Sequence, residues 1–323
     1  MFKVLSIKNL TKYLKIIILF VACAYLIWKI FFNLQWNETL DLMTVSLKNN
    51  TPKLVYCLFL MPVVILLEAF KWRILVKTFF NEISLFQSVK GIIIGISFAI
   101  FTPNRVGDLV GRGFALPSEY RLQSAVAATA GGIIQLFATV GIGLLGVLGF
   151  MYFFPTYHIL QFNWFSEYYG YIFLIFFPLI FLFFLLKKKI LNYVKYKKWF
   201  IKLLQTVEPM KNMKIREILS VFLFSILRSL TFYFQLYILL AYFGVQLSFL
   251  QGFVTISVIF LFTSAIPSFA FSDIGIRGSL AVYFIGMFAQ NNLAIVSATT
   301  LLWFVNLLFP AIFGYFFFLK VKL

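Results

Sequence analysis

Two apolar segments of this chain, residues 84–113 and 248–278, each contain an aspartate followed by arginine and glycine. Their five ionisable candidates are Arg105, Asp108, Arg112, Asp273 and Arg277. Charged side chains are costly at membrane depth, and they usually mark a binding site or a transport path. Arginine presents a planar fork of donors that matches phosphate and stays charged when it is buried. The pattern therefore predicts a site for an anionic group such as a lipid phosphate.

A sixth candidate, Arg228, lies inside a long apolar span. It follows Glu217 by 11 residues, which is about 16 Å along a helix and places it near mid-depth. Four arginines then stand against two aspartates, and this surplus of positive charge suits an anionic headgroup.

Local ion pairs are the simpler interpretation of the same residues. Each aspartate precedes an arginine by four residues, a spacing that lets the two side chains pair on one helix face. These pairs are Asp108–Arg112 and Asp273–Arg277. Arg105 and Arg228 are left without an obvious acid. Glu68, near Lys71 and Arg73, is expected to snorkel or to form a local ion pair.

Composition places the chain among polytopic α-helical membrane proteins. The 323 residues are 62% hydrophobic and only 12% charged, too little polar surface for a soluble domain of this size. The net charge of +18 lies in loops between apolar spans, which favours lipid contact over nucleic-acid binding. No metal-ligand cluster, nucleophile elbow or P-loop is present, so we expect no cofactor, metal or enzymatic activity.

Broken helices are predicted at corresponding positions of the two segments. Span 88–102 is only about 22 Å long, short of the roughly 30 Å of bilayer hydrocarbon, and Pro103 ends it. Pro267 ends the second copy in the same way. Unpaired N–H groups after each proline would favour an anion. Four positions are predicted to allow close backbone approach or gating: Pro103, Gly107, Pro267 and Gly275.

Basic residues predict the orientation. Residues 187–216 hold ten Lys or Arg and should be cytoplasmic, whereas residues 151–167 hold none and should lie outside. Both termini are predicted to be cytoplasmic, in the inner (cytoplasmic) membrane. The first motif must then enter the bilayer from the cytoplasm and the second from outside.

The whole chain, 1–323, is therefore predicted to be one transmembrane domain with an inverted repeat of helix, re-entrant hairpin and helix. Six full spans and two hairpins are expected, starting with a retained helix near 13–34. Repeat one covers 54–150, a linker helix and basic segment cover 168–217, and repeat two covers 218–319. Broken helices at matching positions of inverted halves are typical of transporter binding sites.

Three stretches resemble the lysylphosphatidylglycerol synthase transmembrane region family, also called flippase-like membrane proteins. They are Lys71-Trp72-Arg73, PNRVGDLVGR at 103–112 and IPSFAFSDIGIRGS at 266–279. The similarity covers roughly residues 10–320 and extends to the flippase half of the multiple peptide resistance factor. It implies lipid translocation. Gly278 stands where the family pattern has a glutamate, which argues against a cationic aminoacyl lipid. The chain ends at Leu323, so we expect no soluble aminoacyl-transferase domain.

Together these observations predict a flippase that moves a phosphate-bearing lipid, anionic or aminoacylated, with membrane phospholipids as its partners. One alternative is a membrane enzyme or accessory subunit acting on polyprenyl-phosphate-linked glycans. Another is a structural partner of an envelope-lipid synthase. A separate synthase partner and a homo-oligomer both remain open, and no nucleic-acid partner is expected.

Overall fold

The computed structural model describes residues 36–154 and 206–321, apart from 267 and 269. All regular structure in these ranges is helical. The α-helices are α1 (Trp36–Val76), α2 (Leu85–Ala99), α3 (Val106–Gly111), α4 (Arg121–Phe153), α5 (Ile215–Tyr242), α6 (Phe249–Ala265), α7 (Ala270–Ile285), α8 (Asn292–Trp303) and α9 (Phe309–Leu319). The predicted helices 13–34 and 168–186, the basic stretch up to residue 205 and Pro267 lie outside the described residues.

Four continuous helical stretches are long and apolar enough to cross a membrane. They are Leu40–Val76, Ser118–Phe153, Ile215–Tyr242 and Asn292–Leu319. Large apolar side chains on their outer faces are exposed, among them Phe59 at 71% and Phe137 at 68%. Such faces are unfavourable in water and cost nothing in lipid. The chain is an all-α polytopic membrane protein, as its composition predicts.

The first of these helices begins earlier than the hydropathy pattern predicts. Residues 36–53, expected to connect two spans, are the first part of α1. The helix is distorted at Asn50, whose φ of −129° is not helical. Pro52 explains the distortion, since it donates no N–H and its ring crowds the preceding turn.

Each motif folds into two helices that pack together. Each helix is too short to cross a membrane by itself. The first hairpin (residues 85–115) consists of α2, a 3₁₀ turn at Pro103–Arg105, α3 and a second 3₁₀ turn. The second hairpin (residues 249–285) consists of α6 and α7. The helix is interrupted between Ala265 and Ala270, where the break at Pro267 is predicted.

The serine and glutamine shared by the two motifs start their helices identically. The Ser84 hydroxyl accepts from the Gln87 N–H at 3.1 Å, and the Gln87 amide oxygen accepts from the Ser84 N–H at 2.9 Å. Ser248 and Gln251 form the same capping box, at 3.2 and 2.9 Å. Each box satisfies two N–H groups that a helix start leaves unpaired.

The two halves also share their helix contacts. α1 and α5 pack together, α4 packs on α6, and α9 packs on α2. A Cβ on Gly314 of α9 would overlap the Ile93 carbonyl of α2, and one on Gly146 of α4 would overlap Ser257 of α6. Ile93 and Ser257 have the 164-residue spacing that relates the two motifs. Opposite orientation of the halves in a bilayer stays a prediction.

Candidate functional site

A cavity of about 310 Å³ lies between the two hairpins and the helices around them. All six predicted ionisable residues line it: Arg105, Asp108, Arg112, Arg228, Asp273 and Arg277. Asn104, Gln135, Asn306 and Glu68 also border the cavity.

Glu68 of α1 holds three cations at once. Its Oε2 lies 2.6 Å from Lys71 Nζ and 3.1 Å from Arg228 Nε, and its Oε1 accepts from Arg112 Nη1 at 2.9 Å. The residue is 7% exposed. The expected local pair with Lys71 is present, but Glu68 does not snorkel. Its carboxylate stays buried because three cations balance its charge there. Arg73 instead donates to the Ile83 carbonyl.

The first hairpin contains the predicted pair of Asp108 and Arg112. Arg112 Nε donates to Asp108 Oδ1 at 2.8 Å, and Arg112 Nη2 contacts Oδ2 of the same carboxylate. Gly95 of α2 faces this pair, and a Cβ there would overlap both side chains. With Glu68 on its remaining edge, the Arg112 guanidinium is held on two sides and is 7% exposed.

Asp273 joins the two hairpins. Its Oδ2 accepts from Arg277 Nη2 at 2.9 Å, which is the predicted pair, and from Arg105 Nη2 of the first hairpin at 3.1 Å. The expectation that Arg105 and Arg228 lack an acid is therefore wrong. Their partners, Asp273 and Glu68, come from distant parts of the chain, which helical spacing does not reveal.

The tips of the hairpins also pair through their backbones. The Asn104 N–H donates to the Ser268 carbonyl at 2.9 Å, and the Ser268 N–H donates to Asn104 Oδ1 at 3.1 Å. These two residues occupy equivalent positions in the two motifs, 164 residues apart. Asn104 and Arg105 have φ of 50° and 58°. Left-handed backbone is unfavourable for arginine, and such residues concentrate at functional sites.

The N–H groups predicted to be unpaired after Pro103 are bonded within the protein. A 3₁₀ turn follows the proline, and α3 spans only six residues. The Gly107 N–H donates to the Thr102 hydroxyl at 2.7 Å. The Gly107 N–H is therefore already bonded to the Thr102 hydroxyl, and the positive charge of the first hairpin comes from its arginines.

The hairpin glycines differ between the two copies. A Cβ on Gly107 would overlap the Phe98 backbone, and one on Gly111 would lie 2.8 Å from Gly95 Cα. Close approach is thus present in the first hairpin, as predicted. The same expectation fails for Gly275, around which a Cβ would meet nothing within 4 Å. The reason is that Gly275 lies on an exposed face of α7.

Polar side chains from α4 and α5 extend the charged cluster. Lys71, 1% exposed, donates to Gln135 Oε1 at 3.0 Å. Gln135 in turn donates to the Ser229 hydroxyl at 2.8 Å and to the Ser225 carbonyl at 3.1 Å. This network fixes Lys71 and Gln135 against α5, beside Arg228.

A π-helical segment, Phe304–Leu308, joins α8 to α9 and carries Asn306 into the cavity lining. Pro310 accounts for it, because the proline has no N–H to donate to the Asn306 carbonyl four residues before it. The Phe309 N–H bonds instead to the carbonyl of Phe304, five residues back. Sequence reasoning missed this distortion, which Pro310 could have indicated.

Charge in the cluster does not balance. Three carboxylates face five cations, which are Lys71, Arg105, Arg112, Arg228 and Arg277. The guanidinium groups of Arg228 and Arg277 each lie 5.0 Å from an aromatic ring, Phe232 and Phe260. The surplus of two positive charges matches the surplus predicted from sequence. Within residues 36–154 and 206–321, no three His, Cys, Asp or Glu side chains form a group that could hold a metal ion.

The fold and cavity define a polytopic helical membrane protein with a cationic cavity between two packed hairpins. The family model described as Lysylphosphatidylglycerol synthase TM region matches residues 14–314, and the chain belongs to this family. No curated protein and no solved structure matches the chain. Membership indicates a membrane function related to lipids, in agreement with the resemblance of the three motifs.

Proposed function

We propose that this protein is a flippase that moves a phosphate-bearing lipid across the cytoplasmic membrane. The observation that carries the proposal is the cationic cavity between the hairpins, lined by four arginines and three carboxylates, one of which also pairs with the buried Lys71. A buried surplus of positive charge is unfavourable unless an anion balances it. A lipid phosphate supplies that anion in a membrane.

Different arginines have different parts in this proposal. Arg105 and Arg228 have the most exposed side chains of the four cavity arginines, at 43% and 24%. They bind the phosphate together with Arg277, through paired N–H donors. Arg112 is enclosed by two carboxylates and is a positioning residue. Glu68 and Asp273 orient the arginines that touch the phosphate.

Transport requires the cavity to open to each side of the membrane in turn. The contact between Asn104 and Ser268 and the ion pair of Arg105 with Asp273 hold the hairpin tips together. A phosphate that takes Arg105 from Asp273 removes one of these links. In the proposed inverted repeat, separation of the tips exposes the cavity first to one face and then to the other.

A transport assay tests the proposal. The purified protein is reconstituted into liposomes with a fluorescent anionic phospholipid, and the fraction accessible to an impermeant quencher is followed over time. We expect lipid movement above that of empty liposomes. Arg228→Gln should slow it by about tenfold or more, since hydrogen bonds to charged groups contribute roughly 1.5–3 kcal/mol.

Arg216→Gln is the matched control, because Arg216 lies on the same helix α5 but is exposed at its start. Wild-type protein that moves no phospholipid, or equal rates in both variants, contradicts the proposal. Formation of a lipid-linked product in detergent would instead favour the enzyme of polyprenyl-phosphate glycans. Stable co-purification with an envelope-lipid synthase, without transport, would favour the structural role.

A further inference from the structure

We infer that the cavity selects an anionic headgroup that also carries a free hydroxyl, such as a glycerol phosphate, and disfavours a cationic aminoacylated headgroup. This inference rests on the proposed function and names the lipid class that the same cavity takes. Tyr233 and Asn306 are its specificity-determining residues. Three observations support it: the state of the carboxylates, two buried oxygens without partners, and the charge of the cavity.

Every carboxylate of the described cavity lining is already paired with at least one cation. Asp108 is held by Arg112 at both oxygens, and Asp273 is held by Arg105 and Arg277 at the same oxygen. Glu68 contacts three cations. An ammonium group entering the cavity would have to share a carboxylate with a bound cation or displace that cation. With positive charge already in surplus, either outcome is unfavourable.

Two neutral oxygens in the lining do lack partners. The Tyr233 hydroxyl and Asn306 Oδ1 are buried and have no hydrogen-bond partner among the described residues. Tyr233 is 3% exposed, and both residues line the cavity. Buried polar atoms are nearly always hydrogen-bonded in folded proteins, so two orphans beside one cavity indicate a polar ligand.

The amide of Asn306 has a defined orientation. Its Nδ2 donates to Gln235 Oε1 at 3.0 Å and to the Leu302 carbonyl at 3.2 Å, so its oxygen is the free end. Gln235 is itself fixed by donating to the Cys57 carbonyl at 3.1 Å. Asn306 therefore offers an acceptor, and the Tyr233 hydroxyl can donate or accept. A ligand hydroxyl can donate to the Asn306 oxygen and can donate to or accept from the Tyr233 hydroxyl.

A headgroup comparison tests this selectivity in the same liposomes. Three labelled lipids are compared: phosphatidylglycerol, phosphatidic acid, which lacks the hydroxyls, and lysyl-phosphatidylglycerol, which adds cationic charge. We expect phosphatidylglycerol to move about tenfold faster than phosphatidic acid, the contribution of one or two hydrogen bonds. The lysyl lipid should be slower than phosphatidylglycerol. A lysyl lipid that moves as fast, or equal rates for the two anionic lipids, overturns the inference.

Two variants with matched controls connect the selectivity to these residues. Tyr233→Phe should reduce the preference for phosphatidylglycerol over phosphatidic acid, while Tyr315→Phe should not. The Tyr315 hydroxyl is also buried without a partner, but it does not line the cavity. Asn306→Asp should shift transport toward the lysyl lipid, and Asn50→Asp, the same change outside the cavity, should not. Unchanged preferences in both cavity variants contradict the inference.

Binding in detergent separates this inference from the proposed function. If no lipid moves, flippase activity fails, and the affinities for sn-glycerol 3-phosphate and inorganic phosphate decide the selectivity. Tighter binding of glycerol phosphate by wild-type protein, lost in Tyr233→Phe, supports a hydroxyl-selective site without transport. Equal affinities for the two probes overturn it.

Discussion

At the residue scale, Glu68 organises the cationic cavity. One buried carboxylate contacts Lys71 from its own helix, Arg112 from the first hairpin and Arg228 from α5. Three elements that meet at the cavity are thus joined through a single side chain. Buried charges persist only when they are paired, so the loss of Glu68 leaves Lys71 and Arg228 without a carboxylate partner among the described residues, beside the positive charge of Arg112.

Glu68→Gln should therefore lower the free energy of unfolding by about 3–5 kcal/mol, the usual result of removing one partner of a buried ion pair. Thermal unfolding in detergent measures the change. Glu208→Gln is the control, because Glu208 pairs with Lys211 at 3.7 Å with both side chains largely exposed. Its effect should stay below about 1 kcal/mol. Similar destabilisation in the two variants would show that Glu68 is not the centre of the cluster.

Sequence reasoning found six of the seven charged residues that line the described cavity, missed Glu68, and gave only part of their pairing. The pairs of Asp108 with Arg112 and of Asp273 with Arg277 follow from helical spacing. The partners of Arg105 and Arg228 do not, because they lie in other segments that only tertiary packing brings near. Periodicity reports which face a residue occupies, and it carries no information about which helix that face meets.

At the element scale, the two hairpins start alike and then diverge. Both begin with a serine–glutamine capping box, which explains why these residues recur in the two motifs. After the break, the first hairpin continues as the six-residue α3, whereas the second continues as the sixteen-residue α7. The glycines follow this difference, with tight backbone contacts in the first hairpin and none at Gly275.

Gly107→Ala should destabilise the protein by about 1–3 kcal/mol, since the new methyl group would overlap the Phe98 backbone. Gly275→Ala is the matched change in the second hairpin. It should be neutral or stabilise by up to about 1 kcal/mol, because alanine is the better helix former at an exposed position. Thermal unfolding of both variants measures the difference. Destabilisation by Gly275→Ala as large as that by Gly107→Ala would contradict the asymmetry.

At the scale of the whole molecule, charge distribution predicts the orientation in the membrane. Lysines and arginines flank apolar spans, and their bias places the residues before α5 in the cytoplasm. Residues around Lys48, near the start of α1, are then outside. Among the described residues the largest departure from the hydropathy pattern is at residues 36–53, which are too polar for their helical state to be evident from hydropathy.

Cysteine labelling tests this orientation. In a cysteine-free background, Lys48→Cys should react with an impermeant maleimide in intact cells. Lys211→Cys should react only after the membrane is permeabilised, although its side chain is 72% exposed. Both positions are exposed in the structure, so a difference in labelling reports the side of the membrane. Labelling of Lys211→Cys in intact cells would invert the proposed topology and the direction from which each hairpin enters.

Reversible cross-linking of the hairpin tips tests whether lipid moves between the two hairpins. Asn104 and Ser268 contact each other at equivalent positions of the two motifs, and cysteines there should form a disulfide. The lipid transport rate is measured in the same proteoliposomes before and after reduction of the Asn104→Cys, Ser268→Cys protein. We expect the oxidised protein to bind lipid without transporting it, and reduction to restore transport. Equal transport rates in the two states would contradict movement of lipid between the hairpins.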